Sequence, residues 1–185
     1  MPLSPFRRRK LDRMFAVLDL DGDGFVEQAD FTRRVEAFAR MRGWEAGSEE
    51  YDRNLRFALD EWENLRETAD ADEDHRVSRR EFERYGEGFL DDRDAVRAHA
   101  RGDAQLLFDA MDSDGDGRVT ADEYRVYLEV SGVDASAADA FFAHADLNED
   151  GRITRAEMSH AVEEFLLSED PAAGGNYLFG PLPER

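Results

Sequence analysis

Aspartates recur two positions apart at three places in this chain and nearly so at a fourth. Each run is followed by a carboxylate eleven positions after its first member. Asp19, Asp21 and Asp23 lead to Asp30, and Asp70, Asp72 and Asp74 lead to Glu81. Asp112, Asp114 and Asp116 lead to Glu123, and Asp146, Asn148 and Asp150 lead to Glu157. Like charges this close repel one another unless a cation lies among them. The spacing wraps oxygen atoms around a hard ion of six to eight ligands, such as calcium. The chemistry on offer is chelation.

Elements on both sides of each run are positioned to hold it. Apolar residues lie one, four, five and eight places before the first Asp: Leu18, Phe15, Met14 and Leu11, then Met111, Phe108, Leu107 and Ala104, then Ala145, Phe142, Phe141 and Ala138. This is the one-sided stripe of an amphipathic helix. The second run is rougher, with Ala69, Leu65 and Trp62 interrupted by Arg66. Ser78/Glu81, Thr120/Glu123 and Thr154/Glu157 are capping boxes that start a helix. Taken alone those pairs mark helix starts; the Asp runs before them have no such explanation. Val26, Val77, Val119 and Ile153 occupy one equivalent position, where β-branched side chains suit a short strand.

The four copies resemble the twelve-residue loops of the EF-hand superfamily. In that family positions 1, 3 and 5 supply side-chain oxygens and position 7 a backbone carbonyl. Position 12 supplies a two-oxygen grip, and Gly at 6 permits the turn. The resemblance implies ligands Asp19, Asp21, Asp23, Phe25 (carbonyl) and Asp30 in loop one. In loop two they are Asp70, Asp72, Asp74, Arg76 (carbonyl) and Glu81. In loop three they are Asp112, Asp114, Asp116, Arg118 (carbonyl) and Glu123, and in loop four Asp146, Asn148, Asp150, Arg152 (carbonyl) and Glu157. Loops three and four fit throughout. Asp30 is one methylene shorter than Glu, which favours a tighter site and moves selectivity toward magnesium, with Glu27 at position 9 as an added carboxylate. His75 replaces the position-6 Gly of loop two and would place a non-Gly residue in left-handed backbone at a cost of about 1 kcal/mol, weakening that site. Three to four calcium ions are expected.

The fold class implied is all-α, with four helix–loop–helix units in two paired lobes forming a compact body. First ligands at 19, 70, 112 and 146 give intervals of 51, 42 and 34 residues. They divide the chain into an N-terminal pair (1–92), a C-terminal pair (93–168) and a tail (169–185). The join around Gly86–Asp94 is not a long uninterrupted helix. With the long first interval, the altered second loop and 13 Phe, the chain resembles the sarcoplasmic calcium-binding and calerythrin-like proteins. The apolar tail Asn176–Pro183 is expected to fold back onto the second pair.

A net charge of −20 and a pI near 4.5 exclude nucleic-acid binding through phosphate contacts. Cys is absent, so there is neither a disulfide framework nor thiol chemistry. No stretch approaches the roughly 20 apolar residues of a membrane span, and neither a signal-peptide core nor Gly at position 2 is present. A cytoplasmic monomer without membrane or nucleic-acid partners is expected. Met14–Gly22 also resembles the opening strand of haloacid-dehalogenase-type phosphatases, in which paired Asp act as nucleophile and acid/base. That family uses a downstream lysine, whereas Lys10, the only lysine, lies upstream. Alternating βα units are missing too, and His75, His99, His144 and His160 show no zinc spacing. The expectation is therefore no enzyme. A calcium buffer or transporter is expected, because few Met and many Phe favour a filled core over an adaptable groove. The alternative is a sensor that exposes a groove to an unidentified target protein.

Overall fold

The computed structural model describes residues 4–90 and 93–183, and every structural statement below refers to these. Eight α-helices alternate with short strands among them. Helix α1 (Pro5–Leu18) begins where Ser4 Oγ accepts the Arg7 N–H, with Pro5 as its first residue. It leads through the first loop and β1 (Phe25–Val26) to α2 (Gln28–Arg42), which stops at Gly43 in left-handed backbone (φ 67°). Helix α3 (Glu49–Ala69), β2 (Val77–Ser78) and α4 (Arg79–Phe89) complete the first pair. The second pair consists of α5 (Arg93–Met111), β3 (Val119–Thr120), α6 (Ala121–Val130), α7 (Ala137–Ala145), β4 (Arg152–Ile153) and α8 (Arg155–Leu167). Helix α4 ends at Phe89 and α5 begins at Arg93, and the boundary expected at 92/93 touches residues outside the described set.

Each pair is joined by an antiparallel two-stranded bridge, with Val26 opposite Val77 and Val119 opposite Ile153. All four of these side chains are fully buried. The bridge thus sets two loops side by side and seals the apolar end of each against water. Around it the helix stripes interlock through aromatic pairs: Phe15 on Phe82 at 5.6 Å, and Tyr124 on Phe141 at 4.5 Å. Helix α3 buries only Ala58, Trp62 and Ala69, and its intruding Arg66 turns outward to pair with Glu63.

The two pairs form one body. Phe38 of α2 stacks on Tyr127 of α6 at 6.2 Å between centroids, and Arg42 Nη2 donates to the carbonyls of Ala110 and Met111 at the end of α5. Filling is incomplete at this seam. A cavity of about 160 Å³ remains where the small side chains of Ala58 and Ala110 meet Met14, Phe31, Val35 and Tyr127. Nearer the start of α1, Lys10 is 3% exposed, and its ammonium donates to the Glu164 and Ser168 carbonyls at the end of α8. Burial lowers its pKa to about 8, against the pull of Glu169 and Glu164.

Beyond α8 the chain turns back over the second pair. A 3₁₀ turn at Gly174–Tyr177 lies against α7 and α8. Leu178 is fully buried, and its carbonyl accepts from the buried Tyr124 hydroxyl. Phe179 meets Phe165 edge to face at 4.9 Å, while the Arg13 guanidinium donates to the Phe179 carbonyl. Gly175 is required for this approach. A Cβ there would stand 2.3 Å from the Ala161 carbonyl oxygen and 2.5 Å from the Phe165 nitrogen.

Candidate metal centres

Each twelve-residue segment is folded around its own carboxylates by backbone donors. Position 1 accepts the position-6 N–H on one oxygen: Gly24 to Asp19 at 3.0 Å, His75 to Asp70 at 3.1 Å, Gly117 to Asp112 at 3.1 Å and Gly151 to Asp146 at 2.7 Å. Position 5 accepts the position-7 N–H: Phe25 to Asp23, Arg76 to Asp74, Arg118 to Asp116 and Arg152 to Asp150, at 2.8–3.0 Å. These Asx turns are why Asp and Asn at odd positions fold the segment without a helix or strand. The position-7 residues stand at the entry to the strands, so the bridge fixes their backbone.

Position 12 closes every loop in the same way. Glu81, Glu123 and Glu157 each accept a position-2 N–H on one oxygen (from Ala71, Ser113 and Leu147) and the position-9 N–H and hydroxyl on the other. Asp30 reproduces this despite its shorter side chain, accepting from Leu20 at 3.1 Å and Glu27 at 2.8 Å. Loop one has therefore already drawn inward, and Asp30 is completely buried. Burial raises the Asp30 pKa, opposed by those two backbone donors and reinforced by Asp21 and Asp19. At Glu81 and Glu123 burial acts in the same upward direction, but hydrogen bonds from positions 2 and 9 outweigh it and leave both carboxyls below their ordinary value. Glu27 acts as the N-cap of α2, its carbonyl accepting from the Asp30 N–H at 3.0 Å while its own N–H donates to the Asp30 carboxylate.

The arrangement suits a hard cation. Asp19/Asp21/Asp30, Asp70/Asp72/Glu81 and Asp112/Asp114/Glu123 each bring three carboxylate oxygens within 4.8 Å of one another. The second oxygens of Asp70 and Asp112 are buried without any hydrogen-bond partner. An unpartnered buried carboxylate oxygen is costly, and a cation in the loop would satisfy it. Loop four has the same backbone frame, with Asn148 Oδ1 accepting from Asp150 at 2.9 Å.

Left-handed backbone occurs at positions 4 and 6 of every loop. Gly22, Gly24, Gly115, Gly117 and Gly151 take it freely; His75 (φ 65°), Glu73 (φ 60°) and Glu149 (φ 57°) do so with a side chain. Loop two thus holds two strained residues, where the sequence pattern pointed only to His75. Sequence reasoning also passed over four guanidinium groups that lie on the ligand carboxylates. Arg33 reaches Asp21, Arg76 reaches Asp74 of its own loop at 3.2 Å, Arg118 reaches Asp150 at 2.5 Å and Arg152 reaches Asp116 at 2.6 Å. For Arg118 and Arg152 the signal was present as Arg at position 7, but the target of each lies in the other loop. Met14–Leu18 is the last part of α1, so Asp19 and Asp21 follow a helix and not a strand, which removes the basis of the phosphatase resemblance.

Four helix–loop–helix units paired through bridges, with chelating frames in their loops, define a calcium-binding protein of the EF-hand class. A family model for the EF-hand domain pair matches residues 101–163, and one for the EF hand matches residues 11–35. The chain is an EF-hand protein, and within that class it is similar to the sarcoplasmic calcium-binding proteins. The beta chain of that protein from Penaeus sp. is 29% identical over 180 residues, covering 90% of this chain and 91% of the relative. Calerythrin of Saccharopolyspora erythraea is 26% identical over 159 residues, covering 84% and 89%. A solved calcium-binding protein of Streptomyces coelicolor, described as a basis for prokaryotic calcium-mediated regulation, superposes with a TM-score of 0.73 at 27% identity, covering 86% of this chain and 97% of that one.

Proposed function

We propose that this protein is a cytoplasmic, monomeric calcium buffer or transporter, taking up three to four ions without opening a surface for a target. The observation that carries this reading is the returning tail. Leu178 and Phe179 lie on the apolar surface formed by Tyr124 and Phe165, the kind of surface a sensor would present to its target. Asp112, Asp114, Asp116, the Arg118 carbonyl and Glu123 would hold one ion, and Asp146, Asn148, Asp150, the Arg152 carbonyl and Glu157 another. Asp19, Asp21, Asp23, the Phe25 carbonyl and Asp30 would form the most contracted site, the one most open to magnesium, because Asp30 is already pulled inward. Asp70, Asp72, Asp74, the Arg76 carbonyl and Glu81 would form the weakest, because Glu73 and His75 strain its turn. When bound, calcium supplies charge neutralisation among these carboxylates. We assign the protein no catalytic step.

Calorimetric titration combined with a hydrophobic dye, with and without calcium, tests the reading in the full-length protein. Ion uptake with no gain in dye fluorescence supports a buffer. A calcium-dependent gain would replace it with the sensor reading, in line with the regulation described for the Streptomyces coelicolor protein.

A further inference from the structure

In the C-terminal pair, the residue whose carbonyl stands at position 7 of one loop places its guanidinium on a ligand carboxylate of the other. Arg118 of loop three donates to Asp150 Oδ2 of loop four at 2.5 Å, and Arg152 of loop four donates to Asp116 Oδ2 of loop three at 2.6 Å. The other oxygen of each Asp is held by a position-7 N–H, at 2.8 Å for Asp116 and 3.0 Å for Asp150. Both oxygens of both position-5 ligands are therefore engaged. The crossing follows from the bridge, whose antiparallel register sets Val119 opposite Ile153 and so sends the two preceding arginines past one another. The N-terminal pair lacks it. Position 7 of loop one is Phe25, and Arg76 instead lies over the Phe25 ring at 4.1 Å and pairs with Asp74 of its own loop.

We propose that Arg118 and Arg152 control ion uptake by the C-terminal pair, each masking a ligand of the neighbouring loop and coupling the two sites. The proposal deepens the calcium-binding reading and rests on it. Asp116 must shed the Arg152 guanidinium before its Oδ2 can turn to a cation. Arg118, whose carbonyl belongs to the same loop, is then repelled by the charge gathered there and loosens its hold on Asp150. The symmetric argument runs from loop four to loop three. Arg118 and Arg152 thus weaken uptake of the first ion and ease that of the second, which is positive coupling between sites. Their side chains are 44% and 43% exposed, so truncating either opens no cavity in the core.

The test is a calcium titration of the full chain followed by two-dimensional NMR. The Gly117 and Gly151 amides serve as reporters, because they donate to Asp112 and Asp146. Arg118→Gln, Arg152→Gln and the double variant are compared with Arg125→Gln, which removes the same charge from a pair with Asp122 and Asp139 outside the ligand set. The parent amides should titrate together with a Hill coefficient above 1. In the double variant they should separate, with the first site tightened by on the order of fivefold beyond the Arg125→Gln control. If the double variant shifts no further than Arg125→Gln and its two amides still move together, the arginines are ordinary surface counter-charges and the proposal is overturned. If neither parent amide responds to calcium, the binding reading itself fails, and the proposal with it.

Discussion

Replacing Leu178 by Ala tests whether the returning tail is part of the fold. Leu178 is fully buried, beside a Tyr124 hydroxyl bonded to its carbonyl and a Phe179 ring set edge-on to Phe165. Truncating a buried Leu costs about 2–5 kcal/mol, set by how far the neighbours collapse into the gap. The lower half of that range, about 2–3.5 kcal/mol, is expected, because the tail is a terminal segment able to shift. In a chain of this size each kcal/mol moves the melting temperature by about 2–4 °C, so a fall of roughly 4–14 °C is predicted. Scanning calorimetry in calcium-free and calcium-saturated buffer measures it, with a hydrophobic dye reporting the surface laid bare. Gly175→Ala removes no apolar group but forces its Cβ onto Ala161 and Phe165 backbone, so it should produce the same dye signal by lifting the tail. A melting temperature within about 2 °C of the parent, together with dye silence in both variants, would refute the reasoning and leave the tail as a free peptide.

Four further outcomes are expected. Glu123→Gln and Glu157→Gln remove the anion that closes loops three and four, and each should weaken C-terminal calcium uptake about tenfold or more in calorimetry; parent-like isotherms would count against the ligand set. Asp30→Glu should raise the preference for calcium over magnesium at loop one, while the added methylene, forced into a fully buried position, costs about 1–3 kcal/mol of metal-free stability; competition titration and denaturant unfolding check the two halves separately. His75→Gly relieves left-handed strain of about 1 kcal/mol and should tighten loop two, with no change in stoichiometry or affinity pointing to Glu73 instead. Lys10 has a pKa of about 8 in the fold against an ordinary 10.5, so the folded state loses that proton first. Its burial penalty is fully present below about pH 8 and is relieved as pH rises toward 10.5; denaturant midpoints for parent minus Lys10→Met should show this rise, and a flat difference would contradict it.

The loops and the strand positions of their β-branched residues were legible in the sequence because both repeat at fixed places within each twelve-residue segment. Asx turns, capping boxes and the one-sided helix stripe depend on neighbours within a dozen positions, and Val26, Val77, Val119 and Ile153 could be placed from spacing alone. Asp30 was legible as a shortened ligand, but its full burial was not, since that depends on how far the loop contracts. The crossed Arg118 and Arg152 pairs depend on antiparallel register between segments some 30 residues apart. Arg42 on the end of α5 and the cavity beside Ala58 likewise arise from how two lobes meet, and no periodicity within either lobe encodes that.

Lys10 has a consequence for how the molecule meets chemical reagents. Among the described residues the solvent-facing permanent cations are guanidinium groups, which hold their charge past pH 12, while the one side-chain amine is 3% exposed beneath the end of α8. An acylating reagent that modifies only free amines would leave the described surface untouched and reach Lys10 only when α1 and α8 part. The rate of acylation at Lys10, followed at that residue by mass spectrometry, is therefore a clock for the opening of one helix junction.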